Sequence, residues 1–175
     1  MKKYTQLALL LILFSTNLFA QKIKQREIDE FTKNKVVRTS WETINSDLKF
    51  TCSIRGTIIN DSYYLDFKIM MGMGGVFAIP DGESIMLLLE NEEVIKIHNP
   101  EHTISSVGEG ATGMMGSGSD GVFLSCKVAH EQLKSISASN ISKVRIYTTD
   151  GYVESDINKR KAKKAKKLVE LLLKE

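Results

Sequence analysis

The chain has 175 residues, with 24 Lys+Arg against 21 Asp+Glu and a formal net charge of +3. That is one domain's worth of chain, long enough for a substantial core. Beyond its first residues no apolar run is long enough to span a bilayer, which excludes a body built from membrane helices.

In chain order, Lys2 and Lys3 make a basic start, LALLLILF (Leu7 to Phe14) is a short apolar core, and STNLFA ends on the small residue Ala20. This layout predicts a secretory signal over residues 1–20, cut between Ala20 and Gln21. The mature chain, 21–175, is then expected to be a single β-rich domain, periplasmic or secreted. No cysteine lies near the cut, which argues against a lipid anchor. Charge is divided unevenly along this mature chain. Residues 21–158 carry fourteen Lys/Arg and nineteen Asp/Glu, a net −5, whereas residues 159–175 carry eight Lys/Arg and two Glu, a net +6.

Most of the body alternates apolar and polar residues with period two, the pattern of half-buried strands. Predicted strands are KVVRTSW (Lys35 to Trp41), LKFTCSIRG, YYLDFKIM, SIMLLLE, EVIKIH, HTISS and VFLSCKVA (Val122 to Ala129). Asn60-Asp61-Ser62 reads as the turn between the second and third, and Asn91-Glu92 as the reversal between the fourth and fifth. SKVRIYTTDGYVESDI (Ser142 to Ile157) predicts a hairpin, with Asp150-Gly151 as a two-residue turn and Thr149 opposite Tyr152. In that register Val144 faces Ile157, Ile146 faces Ser155 and Thr148 faces Val153. On the polar side Arg145 faces Asp156 and Tyr147 faces Glu154.

Two helices are expected. HEQLKSISAS is short. The second spans about 158–174 and places Ala162, Ala165, Leu168, Val169 and Leu172 on one stripe at helical spacing. Its leucine-rich half should pack on a sheet, leaving the first turns nearer solvent. No gap holds the helices that parallel crossovers need. The predicted fold is therefore α+β: a mainly antiparallel β-sheet or sandwich of about seven to nine strands, closed by a C-terminal helix.

The motifs are spare. Gly108, Gly110 and Gly113 fit the G-x-G-x-x-G spacing of a dinucleotide turn, but MMGSGSDG follows where a helix is required, and no βαβ frame surrounds it. No cofactor is expected, and these glycines read as hinges. No Gly-Lys-Ser/Thr occurs, which excludes a Walker loop. GSGSDGV (Gly116 to Val122) matches one copy of a calcium repeat. A solitary copy offers half a site, so Asp120 reads as the start of the next strand.

Met70, Met71 and Met73, with Met114 and Met115, form two glycine-flanked clusters. They suit either a soft-metal site for Cu(I) or the filling of irregular gaps under glycine-rich loops. His98 and His102 stand four apart, but Pro100 between them breaks the helix that zinc spacing needs. Cys52 and Cys126 both alternate in phase with apolar neighbours. They read as one disulfide, closing a loop of about 75 residues and worth roughly 4 kcal/mol, or as two buried thiols. Paired carboxylates such as Glu92-Glu93 sit at a turn, and no G-x-S-x-G elbow is present. Lys159, Arg160, Lys161, Lys163, Lys164, Lys166 and Lys167 read as a contact for an anionic membrane surface or as a solvated helix face. No aromatic lies among them to stack a base, so nucleic acid is not an expected partner.

From DEFTKNKVVRTSWETI through the Asp-Gly hairpin to the Lys-rich helix, the chain resembles a set of small exported Bacteroidota proteins of unknown function. TSW and VRIYTTDGYVESDI carry the resemblance, and the 105–121 loop is longer and richer in glycine than that set leads one to expect. The resemblance implies no activity and no functional residues.

The sequence points to an exported, non-enzymatic binding or interaction domain, its partner an envelope protein or an anionic membrane surface. The alternatives are a β-barrel-like carrier of a small apolar ligand and a hydrolase with dispersed active-site residues. A closed sheet around a void would favour the carrier, and a cleft with convergent His and carboxylates the hydrolase.

Overall fold

The computed structural model describes residues 22–72, 75–112, 114, 116 and 118–175. The proposed signal segment therefore lies outside the described residues, as do Met73, Gly113 and Met115. Among the described residues the chain forms thirteen strands in three sheets, followed by a C-terminal helix. The largest sheet runs in space β1 (Ile23–Ile28), β2 (Lys35–Thr39), β4 (Phe50–Ile59), β5 (Ser62–Met71), β11 (Asp120–Val128) and β10 (Ser106–Val107), with β3 (Glu42–Ser46) also paired to β4. A second sheet runs β13 (Gly151–Asp156), β12 (Ile141–Thr148), β7 (Gly82–Leu89) and β8 (Val94–Asn99), and β6 (Ala78–Ile79) pairs with β9 (Thr103–Ile104). Every pairing is antiparallel.

Period-two alternation does what it predicts. Along β4, Phe50, Cys52, Ile54 and Ile58 face the core, and along β5 Leu65, Phe67 and Ile69 do the same. Tight turns join the strands at residues with positive φ. Asn60 (φ 53°) turns β4 into β5, and Glu92 (φ 67°) stands in the reversal between β7 and β8.

The β12–β13 hairpin forms, but its register is displaced by two residues from the sequence expectation. Thr148 pairs with Gly151, Tyr147 with Tyr152, Ile146 with Val153 and Arg145 with Glu154. The turn is thus Thr149-Asp150, and Gly151 (φ 130°) stands at its end. The Thr149 N–H goes to Ala78 O at 3.1 Å, a bond to another sheet that no hairpin rule can foresee. A two-residue shift leaves every side chain on its predicted face. Arg145 gains Glu154 at 2.6 Å in place of Asp156.

On one edge of β4 the chain changes partner. β2 pairs with its C-terminal half, from Val36↔Ile59 to Arg38↔Thr57, and β3 with its N-terminal half, from Glu42↔Ile54 to Ser46↔Thr51. Ser40 and Trp41 occupy the break. Opposite that break, the Gly56 N–H donates to Thr39 Oγ1 at 2.9 Å. A Cβ on Gly56 would lie 2.8 Å from Leu172 Cδ2, so this glycine is the flat spot that seats the C-terminal helix.

The helices are α1 (His130–Ala138) and α2 (Lys159–Leu172), the latter capped by Asn158 Oδ1, which accepts from Lys161 N at 3.0 Å. α2 packs on β3 and β4 of the large sheet, β12 of the small sheet, and α1. All five stripe residues are at most 1 % exposed, Ala162 and Ala165 included. The stripe is buried along its whole length, while Lys159, Arg160 and Lys163 leave the first turns nearer solvent than the leucine-rich last ones, as expected. Burial of Leu168, Val169 and Leu172 contributes about 1.5–3 kcal/mol each. One core joins both sheets and both helices.

Asp47, in the β3–β4 turn, ties the two sheets together. Its Oδ1 accepts from Lys49 N at 2.8 Å and Phe50 N at 3.0 Å, and its Oδ2 from Ser155 Oγ of β13 at 2.6 Å. Partial burial pushes its pKa up, but hydrogen bonds from Ser155, Phe50, Lys49 and Asn45 outweigh that and bring it to about 2 from 3.8. A depressed folded pKa contributes stability that is complete above the unfolded value and lost as pH falls through the folded one. Thermal unfolding should accordingly show a fall in midpoint between about pH 4 and pH 2 that the Asp47→Asn variant lacks. Identical acid profiles for the two proteins would refute this role.

Candidate functional site

Trp41 is the chain's one tryptophan, and the β2–β3 break places it where sheet and helix meet. Toward the sheet it lies against cations. Arg55 Cζ stands 4.5 Å from the ring centroid, Lys68 Nζ stands 5.1 Å away, and Phe123 meets it edge-on at 6.3 Å. These residues share the outer face of the large sheet, since Arg55, Lys68 and Phe123 alternate with core positions.

Arg55 is held by Asp66, whose side chain is 2 % exposed. Asp66 Oδ2 accepts from Arg55 Nε at 2.9 Å, Arg55 Nη2 at 2.7 Å and Thr57 Oγ1 at 2.7 Å, while Oδ1 accepts from Ser125 Oγ at 2.7 Å. The carboxylate is closed on these four donors. Lys68 donates to Ala111 O in the glycine-rich loop, and burial together with the Arg55 charge pushes its ammonium pKa down. On its sheet side Trp41 thus faces a guanidinium paired with a carboxylate, and one ammonium.

Toward the helix Trp41 lines a groove of about 380 Å³, with Trp41, Glu42 and Thr43 on one wall and Asn158, Arg160, Lys161 and Lys164 on the other. Lys164 Nζ stands 3.7 Å from Glu42 Oε2. The rest of the basic run divides by position. Lys159, Arg160, Lys163 and Lys167 are exposed, and Lys161 is half-buried at the groove. Lys166 Nζ turns to Ala138 O at 3.0 Å, at the C-terminal end of α1, where a cation is favoured.

Charge along α2 runs against the helix dipole. No acidic residue stands in its first turn and no basic residue in its last. Lys159, Arg160 and Lys161 crowd the positive pole, while Glu170 stands in the last turn and Lys174 and Glu175 lie just beyond it. Each misplaced first-turn cation costs about 0.3–1 kcal/mol.

The other sequence candidates are dispersed. Met70 and Met71 are neighbours on β5 and therefore face opposite sides of the sheet. Met71 packs on the core, and Met114 is 92 % exposed. Met70 lies under the 108–119 loop, where a Cβ on Gly116 would come within 2.5 Å of its Sδ and one on Gly110 within 2.6 Å of Ile69 O. Alternation thus divides the described methionines rather than gathering them for a metal, and Met70 fills the space under the loop.

That loop is closed by Gly108 N–H to Ser119 O at 2.9 Å and leads into β11 at Asp120, an antiparallel strand rather than a helix. His98 and His102 are both exposed, one at the end of β8 and the other in the following turn. The disulfide does not form. Cys52 and Cys126 are free and buried, on β4 and β11 with β5 between them. They stand opposite Ile69 and Leu65 of β5, so two strand spacings and a four-residue offset together separate them by roughly 16 Å, far beyond the roughly 4.4–6.8 Å between Cα atoms that a disulfide spans. Burial pushes both thiols up to about 12.

Sequence reasoning placed the basic helix correctly but missed the Trp41–Arg55–Asp66 cluster. One signal was available. Asp66 and Lys68 interrupt YYLDFKIM on the face opposite Leu65, Phe67 and Ile69, so two charges share one side of a central strand. Comparison with protein-family models, with curated proteins and with solved structures finds no match for the chain.

Proposed function

We propose that the protein is an exported, non-enzymatic binding domain that docks its α2 face on an anionic membrane surface. The observation that carries this reading is the inverted charge order of α2, which costs the free protein stability and is relieved when an external anion faces Lys159 and Lys163. The apolar stripe of α2 is consumed by the core, so contact with lipid would be electrostatic and not an insertion of the helix. Two further observations favour surface binding. The large sheet is open, its path ending at β1 and β10, which speaks against an enclosed apolar carrier. Asp66 is satisfied by four hydrogen bonds, which leaves it poorly placed as a general base.

Co-sedimentation of residues 21–175 with vesicles tests this. Binding to phosphatidylglycerol vesicles and not to phosphatidylcholine vesicles is expected, with loss on raising the salt concentration. Each exposed cation near such a surface is worth about 1 kcal/mol, so the triple variant K159Q/K163Q/K167Q should bind on the order of 100-fold more weakly. Equal binding to neutral vesicles, or an unaffected triple variant, would overturn the proposal.

A further inference from the structure

The strand orders of the two larger sheets end at β1, β10, β8 and β13, and the first three are guarded against a further strand. β1 is bulged between Ile23 and Gln25 and carries Lys24 and Arg26. β10 is only Ser106 and Val107. On β8 the Lys96 carbonyl already accepts from Gln132 Nε2 of α1 at 2.8 Å. β13 differs from them. It holds no Lys, Arg or Pro, and its register against β12 runs from Gly151 to Asp156 without a bulge.

The hairpin fixes which backbone groups of β13 are turned outward. Ile157 N donates to Ser142 O at 2.8 Å, so the residues bonded to β12 are those in phase with Ile157, namely Ser155, Val153 and Gly151. The N–H and C=O groups of Tyr152 and Glu154 therefore point away from β12, along the edge. Among the described residues no strand pairs with that edge.

We infer that β13 is a dimerisation edge, pairing antiparallel with β13 of a second copy about a two-fold axis through Val153. Such an axis stands normal to the sheet and keeps each face on its own side, so only residues of like parity oppose one another. The neighbouring centres bring acids together. An axis through Glu154 sets that residue against its own copy, one through Ser155 sets Glu154 against Asp156, and one through Tyr152 sets Asp150 against Glu154. An axis through Val153 instead sets Tyr152 opposite Glu154 of the second copy and lets the outward backbone groups of both bond across it.

This register also continues both faces. On the outer face the Tyr147 and Tyr152 rings, 5.8 Å apart, are followed by Glu154 and Arg145 of the second copy, an ion pair that each copy already holds at 2.6 Å. On the inner face Ile146 and Val153 meet Val153 and Ile146 of the second copy. Val153 is half-buried at the sheet margin, and a β-branched partner across the axis covers it. The remaining like charges, Asp150 and Asp156 of the second copy, fall at the turn and the strand end, and Asp156 has Lys143 at 3.5 Å. The inference does not rest on the reading of the α2 face.

Sedimentation equilibrium of residues 21–175 tests it. One strand pair is a small interface beside the roughly 1,200–2,000 Å² of stable complexes, so a reversible dimer with a Kd on the order of 10–100 μM is expected. Tyr152→Glu places an acid opposite Glu154 on both sides of the axis and should weaken dimerisation on the order of 10-fold, with the circular dichroism of the monomer unchanged. Val153→Cys sets two thiols across the axis where Cα atoms stand about 4.5 Å apart, within disulfide reach. With oxidised glutathione it should give covalent dimers, whereas Ser155→Cys, offset along the strand from its own copy, should not. Cys52 and Cys126 are buried and do not confuse the result. A monomer at every concentration up to about 1 mM, a dimer indifferent to Tyr152→Glu, or cross-linking of Ser155→Cys as fast as that of Val153→Cys would each overturn the inference.

Discussion

Replacing Asp66 with alanine should lower the unfolding free energy by about 3–5 kcal/mol, toward the lower figure because Arg55 keeps some contact with water. The carboxylate is 2 % exposed and Arg55 20 % exposed, so deletion of the acid strands a largely desolvated guanidinium. Thr57 and Ser125 lose their acceptor in the same step. Urea denaturation followed by Trp41 fluorescence measures this, because Arg55 lies 4.5 Å from that ring. The midpoint should fall with little change in slope. Replacing both partners, as R55M/D66L, should recover much of the loss, because no charge is then left unpaired. A loss below about 1 kcal/mol for D66A would mean that the pair is solvated and adds little to the fold.

Gly121→Ala is expected to cost about 1–3 kcal/mol, the range for forcing atoms into packed space. A Cβ at this position would lie 2.5 Å from Gly110 Cα and 2.9 Å from Ile69 O. These are backbone atoms and cannot rotate aside, so the loop over Met70 must lift. The variant should therefore become sensitive to proteolysis within 108–119 before global unfolding. Gly118→Ala is the control. Nothing stands within 4 Å of its added methyl, and its stability should match wild type within about 0.5 kcal/mol. Equal proteolysis of the two variants would show that the loop does not depend on the Gly110–Gly121 contact.

The two experiments address one region from opposite ends. Asp66 holds Arg55 against Trp41 from the sheet, and the loop closes over the same face through Lys68 and Ala111.

Local periodicity was sufficient to determine the antiparallel character of the sheets, the inward face of each major strand and the buried stripe of α2. Each depends on side-chain spacing along a few residues, which the solvent sorts without knowledge of the remaining chain. The same economy hid four elements. β1 and β3 carry mixed polar residues, and β6 and β10 are two residues long, so no alternation develops. β3 also escaped because KVVRTSW reads as one strand, whereas the chain changes its half of β4 at Ser40 and Trp41.

Tertiary structure alone decided the rest. The hairpin register stands two residues along, with Thr149 in the turn bonded to Ala78 of another sheet, and Cys52 and Cys126 are kept apart by the insertion of β5 between their strands. The groove arises because Trp41 and Arg160 stand 119 residues apart in sequence and meet only when α2 seats on Gly56. Its character is a sum of charges from separate elements. Coulomb interactions act through space and carry no sequence period, so the chain displays the cations one by one but not the pocket they make.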